Sequence, residues 1–148
     1  MAIKSKITKQ YNVLRSIFLN YKISKDSTLT RLDLIKYNMH RHNGPKQKIC
    51  YAPFKNIFFN TQGTALVCCF NHKVILGQYP QNSIREIWLS NKREKLIEHI
   101  NKNSLEYGCY KCLHEIRQGN YKNVTSFGHD IYIANKNYPI SMEFELSN

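Results

Sequence analysis

The chain has 148 residues, 42% of them apolar, and a formal net charge of +12. This length fits one ordinary domain or a small domain with an arm, and the apolar fraction argues against a wholly disordered chain. The sequence contains no apolar run long enough to span a bilayer, and the apolar part of its basic beginning is short and broken, unlike a secretory signal. We therefore expect a cytoplasmic protein.

The positive charge is concentrated in the first third of the chain. Residues 1–49 hold 11 of the 22 Lys and Arg residues and only two acids, Asp26 and Asp33. Such a segment either contacts the phosphates of a nucleic acid or is simply a solvated basic segment. The abundance of Lys, Asn, Ile and Tyr along the whole chain favours the second interpretation.

The first predicted element is an amphipathic helix over residues 3–21. Its apolar residues recur at spacings of three and four: Ile3, Ile7, Tyr11, Leu14, Phe18 and Tyr21. This face is expected to pack against the rest of the domain, with a membrane surface or a partner as the alternative. Residues 22–48 have weaker periodicity and predict a short helical or irregular piece followed by a linker. We therefore assign residues 1–48 to a basic N-terminal helix and linker.

The next part of the sequence predicts a β-hairpin. "NIFFN" and "TALVCCF" are strand-like runs on either side of "TQG", and Gly63 supplies the turn residue that needs freedom at φ. "KVILGQYP" follows as a third extended piece that ends at Gly77 and Pro80.

Two helices and a terminal strand complete the prediction. Ser83 and Glu86 form a capping box before a short helix, and a longer helix follows a break at Ser90 and Asn91. A short helix is predicted from about Leu113, residues 118–138 are predicted as mostly loop, and "PISMEFELSN" predicts a strand with alternating apolar residues. The predicted fold class is α+β: a small β-hairpin followed by helices around a four-cysteine site, with an N-terminal amphipathic helix.

The five cysteines predict a metal site. An odd number of cysteines in a reducing compartment argues against a disulfide framework. Cys109 and Cys112 form a Cys-x2-Cys pair, which suits a redox dithiol, half a zinc site or half an iron–sulfur site. Cys50 precedes the hairpin and Cys68 closes its second strand, so the hairpin is expected to bring these two thiols to one end of the sheet. The helices that follow then return the chain so that Cys109 and Cys112 complete the set.

The order and spacing of these residues resemble a known module. Cys50-x12-Gly63-x4-Cys68, then "SIREIW" and "GCYKC", resembles the auxiliary-cluster module of radical S-adenosylmethionine enzymes, over roughly residues 50–116. This module is the SPASM domain, or in its shortened one-cluster form the twitch domain. The resemblance implies a [4Fe-4S] cluster that serves electron transfer or substrate positioning. It implies four cysteine ligands, which are Cys50, Cys68, Cys109 and Cys112.

The paired cysteine has two interpretations. The glycine spacing of the resembling module selects Cys68 as the ligand, and Cys69 is then expected to face the packing side of the sheet as a small apolar core residue. The reverse assignment stays open. Trp88 is expected in the core, and a mixed site that uses His72 or His114 is a minor alternative.

The resemblance extends to a subgroup in which the module precedes the catalytic barrel. "CYAPF", "CCFN" and the terminal "SMEFELSN" resemble that subgroup, in which the last strand is similar to the first barrel strand and leads to a Cys-x3-Cys-x2-Cys loop. That loop binds the catalytic cluster and S-adenosylmethionine, and this sequence lacks it. We therefore expect a truncated or split front half, in which residues 49–117 form the cluster domain and residues 118–148 begin a barrel that is missing or lies in another chain. Whether the protein is an enzyme is left open.

Two rival functions remain. The first is a structural zinc protein that uses the same four thiolates and binds nucleic acid through the basic N-terminal segment. Sulfur ligands suit zinc and iron–sulfur groups alike, but the seventeen residues between Cys50 and Cys68 fit a zinc knuckle poorly. The second is an interaction protein that binds no metal.

Overall fold

The computed structural model describes residues 27–41, 44–130 and 137–146. Within these ranges the helices are α1 Arg31–Met39, α2 Ala52–Lys55, α3 Ile84–Trp88, α4 Asn91–Asn101 and α5 Tyr110–Gln118, followed by the 3₁₀ helices η1 Tyr121–Asn123 and η2 Thr125–His129. The strands are β1 Asn56–Phe59, β2 Thr64–Leu66, β3 Gly77–Gln78 and β4 Ser141–Phe144. The α+β prediction is confirmed, whereas the predicted helix over residues 3–21 lies outside the described residues.

The four strands form one sheet in the order β3-β2-β1-β4. β1 and β2 pair antiparallel as the predicted hairpin, with Phe58 opposite Leu66. Gly63 in the turn has φ of 80°, and a Cβ there would lie 2.4 Å from the carbonyl oxygen of Tyr79, so glycine is required by both conformation and space. β4 pairs parallel with β1, which makes the predicted terminal strand an edge strand of this sheet.

The second strand is shorter than the sequence predicts. β2 ends at Leu66, and Cys68 and Cys69 lie in the bend that follows. The buried side chain of Asn56 donates a hydrogen bond from Nδ2 to the carbonyl oxygen of Val67 at 3.0 Å. This side-chain bond replaces the backbone hydrogen bond that would extend the pairing of β1 and β2. The expectation that the adjacent cysteines alternate across a strand is therefore wrong.

The helix boundaries follow from local capping. Ser83 begins α3 with the predicted capping box to Glu86, and Ser90 caps α4 after the predicted break. α1 carries a second capping box, from Thr30, which the sequence analysis did not anticipate. α5 begins at Tyr110, three residues earlier than predicted, so Cys112 lies in its first turn.

The core consists of two apolar clusters. The first joins the sheet to α3 and α4 through Ala52, Ile57, Phe59, Ala65, Val67, Cys68, Val74, Leu76, Ile87, Trp88 and Leu96. The second joins α1, α4, α5 and the segment after α5 through Leu29, Tyr37, Ile49, Ile100, Leu105, Leu113, Ile116 and Val124. Trp88 is fully buried, as predicted. Because the second cluster draws on residues before 49 and after 117, the proposed domain boundaries remain a prediction. None of the described helices has the length and apolar character of a membrane span.

Candidate metal centre

Four of the five cysteines surround one small cavity. Cys50, Cys68, Cys109 and Cys112 all line it, and its volume is about 20 Å³. Cys50 and Cys109 each pack against both core clusters, so the cavity lies where the two clusters meet. Three separate parts of the chain supply the thiols. Cys50 lies just before α2, Cys68 lies in the bend after β2, and Cys109 and Cys112 lie at the beginning of α5. Across the described ranges, no three His, Cys, Asp or Glu side chains are grouped as ligands of a single metal ion.

The beginning of α5 places two of the thiols. Cys109 is the N-cap residue and Cys112 lies three residues later, so both lie on one face of the first turn. Gly108, just before them, has φ of 83°, and a Cβ there would lie 2.2 Å from Oδ1 of Asn71. The backbone amide of Gly108 donates to the carbonyl oxygen of Glu106. This glycine therefore acts by giving Asn71 room.

Asn71 connects the bend after β2 to the Cys-x2-Cys turn. Its Nδ2 donates to the carbonyl oxygen of Tyr107 at 3.2 Å and to Sγ of Cys109 at 3.5 Å. Its backbone N–H donates to the carbonyl oxygen of Cys68 at 3.4 Å, and together with that of Phe70 it lies close enough to the Cys68 thiol to oppose the increase in its pKa. Asn71 thus contacts both Cys68 and Cys109.

The other two thiols also have backbone donors. The N–H of Ala52 donates to Sγ of Cys50 at 3.4 Å. The N–H groups of Thr125 and Ser126 face the thiol of Cys112. All four thiols are therefore arranged to have their negative charge stabilised by N–H groups once they are deprotonated.

The cavity disfavours free thiolates. Loss of hydration raises the pKa of all four thiols, to about 12 for Cys68, and the neighbouring thiols add to the increase at Cys50, Cys68 and Cys109. The thiols are therefore protonated at neutral pH, and a bound cationic group has to displace their protons.

The bend separates the two adjacent cysteines. Cys68 is buried, belongs to the first core cluster and lines the cavity. Cys69 is half-buried and lies outside both core clusters, near Glu143 and Lys111. The expectation that Cys69 packs into the core is wrong, because the chain turns at the pair instead of continuing as a strand.

The histidines also differ from the prediction. His72 and His114 are exposed and do not line the cavity, whereas the buried His129 does. Burial lowers the pKa of His129 to about 4, so its ring is neutral at pH 7.

Four residues of the site were not predicted from the sequence: Asn71, Thr125, Ser126 and His129. Asn71 had only the signal of an ordinary turn residue, since Asn side chains in turns commonly bond nearby backbone groups, and its Oδ1 indeed accepts from the N–H of Val74. The other three lie in a segment without periodicity or a spacing motif, where no pattern pointed to them.

Comparison with known proteins identifies this part of the chain. Residues 50–113 match the family model of SPASM, an iron–sulfur cluster-binding domain. No curated protein and no solved structure matches the chain. The match begins at Cys50 and includes all four thiols that line the cavity. Residues 50–113 are therefore similar to the SPASM domain, an iron–sulfur cluster-binding module.

Proposed function

We propose that Cys50, Cys68, Cys109 and Cys112 hold one [4Fe-4S] cluster. The observation that carries the proposal is that these four thiols, from three separate parts of the chain, line one cavity and all have N–H donors directed at them. Thiolates with inward-facing amides are the usual environment of a protein-bound iron–sulfur cluster. The fifth cysteine, Cys69, lies outside the cavity and is not a proposed ligand.

The family match favours a cluster over a single zinc ion. A tetrahedral zinc site brings four sulfurs to about 2.3 Å from one point. A four-iron cluster binds each thiolate to a different iron. The match of residues 50–113 to an iron–sulfur cluster-binding domain supports the second arrangement. The mainly apolar walls of this cavity also suit a group that is kept from solvent.

The proposed role is electron transfer within a radical S-adenosylmethionine protein. When bound, the cluster supplies one-electron chemistry, and ligation by four cysteines leaves no iron open to substrate. The chain's own part is to exclude water from the site and to set the reduction potential through Asn71 and the backbone amides. SPASM domains occur with radical S-adenosylmethionine proteins. We infer that the catalytic barrel is contributed by a partner or a further segment, because residues 1–148 contain no Cys-x3-Cys-x2-Cys motif.

Contact with such a barrel is proposed to involve β4. This strand is at the edge of the described sheet, and the apolar side chains of Met142 and Phe144 on it are 49% and 61% exposed. An edge strand with exposed apolar residues is suited to pairing or packing with another chain segment.

The direct test is anaerobic assembly of the cluster on the purified protein. We expect about four irons and four sulfides per chain and a broad absorption near ~400 nm, typical of thiolate-bound iron–sulfur groups. One zinc per chain and a colourless protein would instead support the zinc alternative, which also predicts salt-dependent binding of nucleic acid.

A matched pair of variants tests the ligand choice. Cys68→Ser removes a proposed ligand and is expected to abolish or strongly reduce iron loading. Cys69→Ser, one residue away and outside the cavity, is expected to load like the wild type. Equal loading of the two variants, or loss of iron only in Cys69→Ser, would contradict the proposed ligand set.

A further inference from the structure

A segment outside the family match forms one wall of the thiol cavity. The match ends at residue 113, yet Thr125, Ser126 and His129 line the cavity together with the four cysteines. These three residues belong to η2, which follows α5 and η1. The site is therefore completed by a part of this chain that the family comparison does not cover.

The hydroxyl group of Thr125 is buried at this wall without a completed hydrogen bond. Its Oγ1 has no partner of normal hydrogen-bond geometry among the described residues. It lies beside the thiol of Cys112, and it acts with the N–H groups of Thr125 and Ser126 to oppose the increase in the pKa of that thiol caused by burial. A buried hydroxyl without a partner is unfavourable unless an acceptor is present in another state of the site. A thiolate of Cys112 is such an acceptor.

α1 and the residue Arg41 just after it hold this wall in place at two points. The hydroxyl groups of Tyr37 and Ser126 are hydrogen-bonded, and the Tyr37 ring stacks on Phe127 with 5.7 Å between ring centroids. At the end of the segment, Arg41 forms a buried ion pair with Asp130, with Nη2 and Oδ1 2.5 Å apart. The backbone that directly follows Thr125 is therefore fixed by contacts at Ser126, Phe127 and Asp130.

We propose that Thr125 is a positioning residue of the cluster site, whose hydroxyl donates a hydrogen bond to the Cys112 thiolate when the cluster is bound. This proposal rests on the proposed function. Donation to a ligand sulfur stabilises the more negative, reduced state of a cluster and so raises its reduction potential. Thr125 acts through Cys112 and does not contact the iron.

The test compares the reduction potentials of loaded variants. Thr125→Val, which replaces the hydroxyl by a methyl group of similar size, is expected to shift the midpoint potential to a more negative value. A hydrogen bond to a charged group corresponds to roughly a tenfold change in the ratio of oxidised to reduced protein, or about 59 mV for one electron. Thr125→Ser keeps the hydroxyl and is expected to restore the wild-type value. Thr61→Val, at an exposed threonine of the hairpin turn, is the matched control and is expected to change nothing.

The outcomes separate this inference from the function on which it rests. If the wild-type protein assembles no cluster, the proposed function fails. If the wild type assembles a cluster and Thr125→Val has the same potential, the inference about Thr125 fails and the function stands. If Thr125→Val does not load, Thr125→Ser decides: loading with the wild-type potential supports the hydrogen bond, and failure to load shows that Thr125 serves only the fold.

In wild-type protein the hydroxyl also predicts a shift of the iron–sulfur stretching frequencies on exchange into D₂O, and this shift should be smaller in Thr125→Val.

Discussion

At the scale of single residues, Gly108 has no room for a side chain beside Asn71. An alanine at position 108 combines an unfavourable positive φ with a Cβ 2.2 Å from the Asn71 side chain. We expect Gly108→Ala to lose about 1–2 kcal/mol of stability from the backbone and about 1–3 kcal/mol more from displacing Asn71. It should also weaken cluster loading, because Asn71 donates to Cys109 and faces Cys68.

A second glycine provides the control for this prediction. Gly119 after α5 has φ of 74°, and a Cβ there meets nothing within 4 Å. Gly119→Ala is therefore expected to lose only the backbone contribution and to load normally. Urea unfolding and iron content measure both variants. Equal destabilisation of the two would show that the contact with Asn71 has no energetic role.

The residue scale also shows what the sequence was able to predict. The resemblance to a known module indicated the four cysteines that line the cavity, and their role as ligands stays a prediction. The role of Asn71 was not visible, because its partners Tyr107 and Cys109 are 36 and 38 residues away and its own pattern is that of an ordinary turn residue.

At the scale of elements, Arg93 joins α4 to the parts that carry the site. Its Nε donates to the carbonyl oxygen of Pro53 in α2 at 2.7 Å, and its Nη1 donates to that of Trp88 at 3.0 Å. The guanidinium group also lies 3.5 Å from the centre of the Trp88 ring. Arg93 thus holds α2, which begins two residues after Cys50, against α3 and α4.

Removal of this guanidinium group should destabilise the fold. Arg93→Met keeps the apolar stem but leaves two carbonyl groups without this donor, so we expect a loss of about 2–4 kcal/mol in the free energy of unfolding. The neighbouring Lys92 is exposed, and Lys92→Met is expected to change stability by less than about 0.5 kcal/mol. Chemical denaturation of the protein without metal measures both. A neutral Arg93→Met would contradict the proposed connection.

The elements that were predicted best are those with a local signal. The capping box at Ser83 and the serine cap at Ser90 fixed two helix boundaries, because both signals lie within four residues of the boundary. The end of β2 was missed because it is set by the side chain of Asn56, eleven residues earlier in the chain.

At the scale of the whole molecule, the buried His129 makes stability depend on pH. Its pKa is about 4 in the folded protein and about 6.5 in an unfolded chain, so the unfolded chain binds a proton at a pH where the folded chain does not. Below pH 6.5 the stability of the metal-free protein should therefore fall, by up to about 3 kcal/mol as the pH reaches 4.

Two variants isolate this contribution from other acid effects. His129→Gln removes the titrating group and is expected to flatten the decline between pH 6.5 and 4. His114→Gln, at an exposed position of α5, should leave the decline as in the wild type. Thermal unfolding across this pH range is the measurement, and an unchanged slope in His129→Gln would exclude His129 as the cause.

The connection between α1 and the wall of the site was the least predictable feature of the molecule. Tyr37 and Ser126, like Arg41 and Asp130, are 89 residues apart in the chain. Neither partner has a local pattern that indicates the other, and the sequence analysis accordingly assigned them to separate segments. The resemblance to a known module predicted the metal centre, whereas the contacts that enclose it were visible only in three dimensions.

The parallel pairing of β4 with β1 has a consequence for the order in which the protein matures. Asn56 is opposite Ser141, so the edge of the sheet cannot form until 85 further residues have left the ribosome. All five cysteines precede β4 in the chain, and by then the most distant of them, Cys112, has already emerged. Assembly of the proposed cluster and completion of the sheet are thus separable during synthesis, since a nascent chain has all four proposed ligands before its last strand is in place.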